Sequence, residues 1–216
     1  TFPVKYEDVP SSNSFPGVPK DNPVNAYYEE GIYVGYRFYE TFKVTPAYEF
    51  GYGMSYTDFS YSDLTLSKKI FDQDIEVKVT IKNTGKVAGK EIVQLYLKTP
   101  ETKLEKPAIE LKEFAKTRLL KPGESETLRI VLNANNLASF WPAKSKWIAE
   151  KGEYEICIGS SSKDIKLTEK FTLLHDIVVE EVNDVMYPNF HFIEFTKREP
   201  QEYIKTSDLI IPDDSN

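Results

Sequence analysis

The adjacent carboxylates Glu29 and Glu30 are the first residues here that invite a chemical role. Two carboxyl groups about 5–5.5 Å apart can act as nucleophile and acid/base in retaining glycosyl transfer. Neighbours on an extended segment point to opposite sides, however, so this pair cannot flank one bond. Arg37, eight residues on, reads as the partner of a nearby carboxylate rather than a substrate ligand. His175 and His191, sixteen residues apart, are the only histidines, and they belong to no Cys, Asp or Glu arrangement of metal-ligand spacing. Nor do they build a Ser-His-Asp set. Ser160-Ser-Ser162 follows Gly159 at a strand end and reads as a turn, since a phosphate cradle needs a Gly-rich loop opening a helix. Asp63, Asp72 and Asp74 are too scattered for a calcium loop. Cys157 stands alone, which excludes an internal disulfide framework and a Cys-rich zinc site. It falls within a strand-like run and reads as a packed structural thiol. Trp141, Trp147, Tyr52 and Tyr96 are candidate stacking platforms for sugar rings, with packing in the core or at a domain contact as the favoured reading. The reading therefore assigns no catalytic, cofactor-binding or metal-binding residue.

The elements that hold these residues fall into three regions. Residues 1–26 carry Pro3, Pro10, Pro16, Pro19 and Pro23 and are read as extended and irregular. Residues 27–39 interleave rings and branched residues with Gly31 and Gly35, which predicts a short strand or an ordered loop pinned by aromatic packing. Tyr48-Glu-Phe-Gly-Tyr-Gly-Met-Ser-Tyr-Thr57 sets Gly51 and Gly53 among aromatics, as suits a chain leaving one domain and docking a second against it. From Phe59 the apolar period becomes two. Ile75, Val77, Val79 and Ile81 alternate with polar residues, as do Leu128, Ile130 and Leu132, and Tyr154, Ile156 and Ile158. Val93, Leu95 and Leu97 share one strand face, with Ile92, Gln94 and Tyr96 on the other. Pro122-Gly123 fits the centre of a type II turn. About seven short strands without a long amphipathic helix predict an all-β, immunoglobulin-like antiparallel sandwich.

The whole chain has 216 residues and a formal charge of −7. Ten acidic and three basic residues lie between Asp176 and Asn216, which leaves the rest near neutral. An acidic end on a neutral body argues against nucleic acid as a partner. No apolar run reaches the length of a membrane span, no signal segment is visible, and localisation stays open. The opening Thr1-Phe-Pro reads as the continuation of something larger.

The order of short motifs adds a family. Tyr28-Glu-Glu-Gly-Ile-Tyr-Val-Gly-Tyr-Arg37 and the Tyr48–Thr57 segment resemble stretches that close the second domain of glycoside hydrolase family 3 enzymes, the β-glucosidases and β-xylosidases. Asn83-Thr-Gly-Lys-Val-Ala-Gly89, Val93-Gln-Leu-Tyr96, Leu111-Lys-Glu-Phe114 and Leu119-Leu-Lys-Pro-Gly-Glu124 resemble the fibronectin type III-like domain appended to those enzymes. Phe140-Trp141, Trp147, Gly152-Glu-Tyr154 and Gly159-Ser-Ser161 continue the likeness in order. Lys106, where the family usually has Arg, and Glu113, where it often has Gly, depart from the pattern and read as surface-turn substitutions.

The resemblance implies that the catalytic nucleophile and acid/base lie in domains upstream of Thr1. Residues 1–57 would then be the remnant of an α/β domain plus a connector, 58–175 the fibronectin type III-like domain, and 176–216 an acidic extension. Ile193, Phe195, Tyr203, Leu209 and Ile210 in that extension predict that part of it lies across the sandwich. The expected function is a non-catalytic, domain-bracing part of a β-glycosidase that meets the catalytic domains through Tyr27–Thr57. Carbohydrate binding and a homodimer through the same aromatic segment are the alternatives. No cofactor is implied.

Overall fold

The computed structural model describes residues 1–183 together with 196 and 197. The N-terminal region begins irregularly, with two short 3-10 turns, Tyr6–Asp8 and Pro10–Ser12, and leads into helix α1 (Tyr36–Phe42). Eleven strands follow among the described residues. In chain order they are β1 (Phe59–Leu66), β2 (Ile70–Phe71), β3 (Asp74–Asn83), β4 (Ile92–Lys98), β5 (Glu110–Lys116) and β6 (Ser125–Asn133). After the short helix α2 (Ala134–Leu137) come β7 (Ser139–Trp141), β8 (Lys146–Ala149), β9 (Gly152–Gly159), β10 (Ile165–Leu173) and β11 (Ile177–Glu181).

One sheet runs β1-β3-β6 and the other β2-β10-β9-β4-β5, with a small third sheet β11-β8-β7. All pairings are antiparallel except the two-residue contact of β2 with β10. The period-two alternation does what it predicts. Ile75, Val77, Val79 and Ile81 of β3 and Leu128, Ile130 and Leu132 of β6 meet Val93, Leu95 and Leu97 of β4, with Tyr154, Ile156, Ile158, Phe171 and Leu173 completing the core. The turn before β6 also forms as expected. The Glu124 amide donates to the Lys121 carbonyl at 2.9 Å, and Gly123 has φ +81°, the value a type II turn demands at that position.

Two expectations are corrected here. Residues 27–35 form an ordered loop with Tyr33 packed among rings, one of the two forms expected, but residues 36–39 are helical, because the turn at 29–32 feeds α1, which starts at Tyr36. A helix of seven residues needs tertiary contacts to persist, and Phe38 and Tyr39 supply them by packing with Tyr33 in a small core of their own. Lys106 is also no surface residue. It is 5% exposed and paired at 2.6 Å with Glu150, itself 4% exposed. Glu113 stands within β5 rather than in a turn, half-buried, and accepts a hydrogen bond from the Asn136 amide at 3.2 Å.

Candidate functional site: a connector docked on the sandwich

The outer face of the larger sheet is covered, which explains why β4 is buried on both sides. Gln94 and Tyr96, on the face of β4 away from the main core, are 6% and 0% exposed. Tyr96 packs with Ile109 and Cys157, and Tyr36 and Leu111 close over them. What covers this face is the segment from Tyr27 to Thr57.

Side chains on that segment are keyed to the sandwich one by one. The Tyr33 hydroxyl donates to the Glu105 carboxylate. The Tyr36 hydroxyl accepts from the Leu111 amide at 2.8 Å, and its ring meets Tyr96 edge-on at 5.8 Å and Phe50 at 5.0 Å. Arg37 pairs with Glu110 at 3.2 Å, as its sequence context predicts. Thr41 accepts from the Ala108 amide at 3.0 Å. Glu40 and Glu49 receive the hydroxyls of Ser162 and Ser161 at 3.1 and 2.8 Å, and the Ser162 amide donates to the Phe50 carbonyl at 2.9 Å. The serine run is a turn, as expected, but its hydroxyls also act as the receptor for the connector.

Gly51 carries the close approach expected of the glycine pair. Its φ is +87°, and a Cβ there would lie 2.3 Å from Gln94 Nε2. Gln94 is held in turn by its donation to the Ser160 carbonyl at 2.6 Å and by the Tyr96 hydroxyl at 2.5 Å. Gly53 meets nothing within 4 Å and serves no such contact. The seam ends at Thr57, whose hydroxyl donates to Asn83 Oδ1 at 2.7 Å. Asn83 is fully buried and uses its whole amide. Oδ1 also accepts from the Gly85 amide at 3.0 Å, and Nδ2 donates to the carbonyls of Val87 and Leu120 at 2.8 Å each. In the sequence Asn83 is only the first residue of the motif Asn83-Thr-Gly-Lys-Val-Ala-Gly89. No local pattern distinguishes a turn asparagine from one that ties three loops together.

Electrostatics at the seam are dominated by one buried pair. Burial raises the Glu150 carboxyl, but hydrogen bonds from Lys106 and Thr102 outweigh it and leave the group below its usual range. Lys106 Nζ also donates to the Pro100 carbonyl at 3.1 Å. Glu29, buried beside its neighbour, is shifted the other way, by desolvation first and by the Glu30 charge second. Burial pushes the Cys157 thiol up to about 12, in keeping with a packed, inert role.

The other candidates separate clearly. Tyr96 is fully buried and cannot present a platform. Trp141 is half-buried, with Lys144 Nζ 4.5 Å and Lys103 Nζ 5.8 Å from its ring centroid. Trp147, at 42% exposed, lies outside the core, the first of the two placements expected for it, and its ring is 5.4 Å from Phe140 across the β7–β8 pair. Tyr52 is 52% exposed on the connector. Asp72 pairs with Lys68 at 2.5 Å, Asp63 bonds Ser62, and Asp74 opens β3. His175 sits in a bend, and His191 lies outside the described residues, as do Ile193, Phe195, Tyr203, Leu209 and Ile210. Among the described residues no group of three or more His, Cys, Asp or Glu side chains could hold a metal ion.

The reverse side of the connector is bare. Tyr28 (86% exposed), Met54 (93%) and Tyr56 (101%) point away from the sandwich, and Val34, Tyr48 and Tyr52 are each about half exposed. Phe2, Val4, Tyr6 and Phe15 extend the apolar surface through the N-terminal turns. Phe2, Tyr48 and Tyr52 meet ring to ring within this surface, and large apolar patches on a soluble protein mark interaction sites.

The β-sandwich falls in a known class, since residues 91–162 match the fibronectin type III-like domain family. The relatives are enzymes. The chain is 45% identical over 171 residues to thermostable β-glucosidase B of Acetivibrio thermocellus and 42% identical over 177 residues to β-glucosidase BoGH3A of Bacteroides ovatus. These alignments cover 78% and 79% of this chain but only 22% and 23% of the relatives. Among solved structures, β-glucosidase 3B of Thermotoga neapolitana in complex with α-D-glucose superposes with a TM-score of 0.77 at 52% identity, covering 83% of this chain and 24% of that one. The GH3 β-glucosidase of Bifidobacterium adolescentis gives a TM-score of 0.74 at 34% identity, over 80% and 25%. Over most of its length the chain is therefore similar to one segment of glycoside hydrolase family 3 β-glucosidases, the segment that bears the fibronectin type III-like domain, and it spans about a quarter or less of the length of the relatives it matches.

Proposed function

We propose that this chain is the non-catalytic C-terminal portion of a family 3 β-glycosidase and braces the catalytic domains of that enzyme. The observation that supports this reading is the two-sided connector. One side is fixed to the sandwich by specific hydrogen bonds and a buried glutamine, while the other offers Tyr28, Met54 and Tyr56 to an absent surface. An interface that leaves its partner behind exposes apolar residues in this manner. The relatives are named β-glucosidases and extend over some four times the matched length, which supplies both a partner and an activity, cleavage of terminal β-glycosidic bonds.

Two measurements test the proposal. The purified chain is expected to show no turnover of an aryl β-glucoside, and turnover above a heat-killed control refutes it. Replacing Tyr28, Met54 and Tyr56 together with serine should leave the stability of this chain within about 0.5 kcal/mol, because exposed side chains contribute little. In a longer protein that carries the catalytic domains, the same change should lower the melting temperature and the activity. An unchanged longer protein would refute the bracing role.

A further inference from the structure

Twelve polar or charged side chains are buried among the described residues, and all but one take a hydrogen bond or an ion pair. The exception is Glu29, 9% exposed, which has no such partner among the described residues. Native proteins leave few buried polar groups unmatched, and each exception calls for an explanation. The other two buried carboxylates show what such a group takes in this chain. Glu40 is paired with Lys163 at 3.3 Å and Glu150 with Lys106 at 2.6 Å. No cation answers Glu29, and the charge beside it is that of Glu30, which repels it. Its carboxylate oxygens are not sealed from the surface, so a group from outside can meet them. In the chain Glu29 stands on the bare stretch of the connector, between Tyr28 at 86% exposed and Ile32 and Val34 at 39% and 51%.

We propose that Glu29 is the charged anchor of the connector's outer side and receives an arginine or lysine side chain from the catalytic domains, a contact that rests on the bracing reading above. A carboxylate desolvated without a partner is unfavourable, whereas the same group paired across an interface gains a charge-assisted hydrogen bond. The apolar side chains on either side of it would exclude water once the domains meet, and a drier surrounding strengthens the pair. The isolated chain thus carries a penalty that docking removes. A surface without the cation would have to bury the carboxylate uncompensated, so Glu29 gives selectivity to an interface whose other exposed groups are rings and a methionine.

The test is E29Q, which keeps the shape and removes the charge, made both in this chain and in a longer protein that carries the catalytic domains. In this chain the substitution should raise the urea midpoint at pH 7. The gain should shrink as pH falls and be gone near 4.5, because the native carboxyl, raised by burial, is then protonated in the folded and unfolded states alike. In the longer protein the sign should reverse, and E29Q should lower the melting temperature by about 2 °C or more at pH 7. A gain in both proteins overturns the proposal, and so does a loss in both, which would place the partner within this chain. Sensitivity of the longer protein to EDTA that E29Q abolishes would assign the site to a metal ion and overturn it as well. The serine variant of Tyr28, Met54 and Tyr56 separates the two readings. If it weakens the longer protein while E29Q does not, the bracing role stands and the Glu29 contact falls.

Discussion

Replacing Lys106 with methionine isolates the buried charge at the seam. The substitution keeps the length of the aliphatic stem and removes the ammonium that lies 2.6 Å from Glu150. Breaking a buried pair by deleting one partner costs about 3–5 kcal/mol, because the surviving charge stays desolvated. Glu150 would retain the Thr102 hydroxyl and the Lys103 amide, the latter at 3.3 Å, which places the expected loss near the lower end, about 3 kcal/mol. With a denaturant slope of about 2 kcal/mol per molar, the urea midpoint should fall by about 1.5 M. The pH dependence supplies a second readout. In the native chain the depressed Glu150 carboxyl contributes stability that is present above its unfolded value, near 4.5, and is lost as pH falls through its folded value. Without Lys106 the desolvation that now opposes ionisation prevails, so the folded pKa rises above the unfolded one and the sign reverses. The penalty should therefore be largest at pH 7 and shrink towards pH 4, where Glu150 can take up a proton. Replacing both partners, as K106M/E150L, should recover most of the loss. A K106M cost below about 1 kcal/mol at pH 7, or one that stays flat between pH 4 and 7, would refute the reasoning.

Two further substitutions probe the connector. N83A removes four hydrogen bonds at a buried site, taking a partner from the Thr57 hydroxyl and the Val87 carbonyl, while the Gly85 amide keeps the Asp58 carbonyl at 3.3 Å and the Leu120 carbonyl keeps the Gly89 amide at 3.0 Å. A loss of about 2–4 kcal/mol by urea denaturation is expected, and a loss under 1 would show that the network is not needed. G51A places a Cβ against Gln94 at a φ of +87°, so it should cost about 1–2 kcal/mol and speed amide exchange at Tyr96, with no effect on β3. Equal exchange at Tyr96 in both proteins would separate Gly51 from the docking of the connector.

How far the sequence reaches depends on the distance over which each feature is decided. The strands are legible because alternation is written along a few consecutive residues, and burial of one sheet face against another makes that local pattern sufficient. The type II turn at Pro122-Gly123 is legible for the same reason. The pairing of Arg37 with a carboxylate and the packed state of Cys157 followed from residue type and context, although neither partner could be named.

What only the tertiary structure decided lies between residues far apart in the chain. Lys106 and Glu150 are separated by 44 positions, and each looks like an ordinary surface charge until the fold encloses both. Ser161 and Ser162 become the receptor for Glu49 and Glu40 only because the β9–β10 turn meets the connector. Helix α1 escaped notice because it has only seven residues, four of them aromatic and of little helical preference, and its stability comes from Tyr33 and the sheet beneath it. The burial of β4 on both faces likewise reflects a partner that alternation cannot announce. The sequence by itself determined a sandwich, a seam and a family resemblance. The tertiary structure decided which side of the seam is satisfied and which is bare, since burial is a property of what the fold lays over a residue.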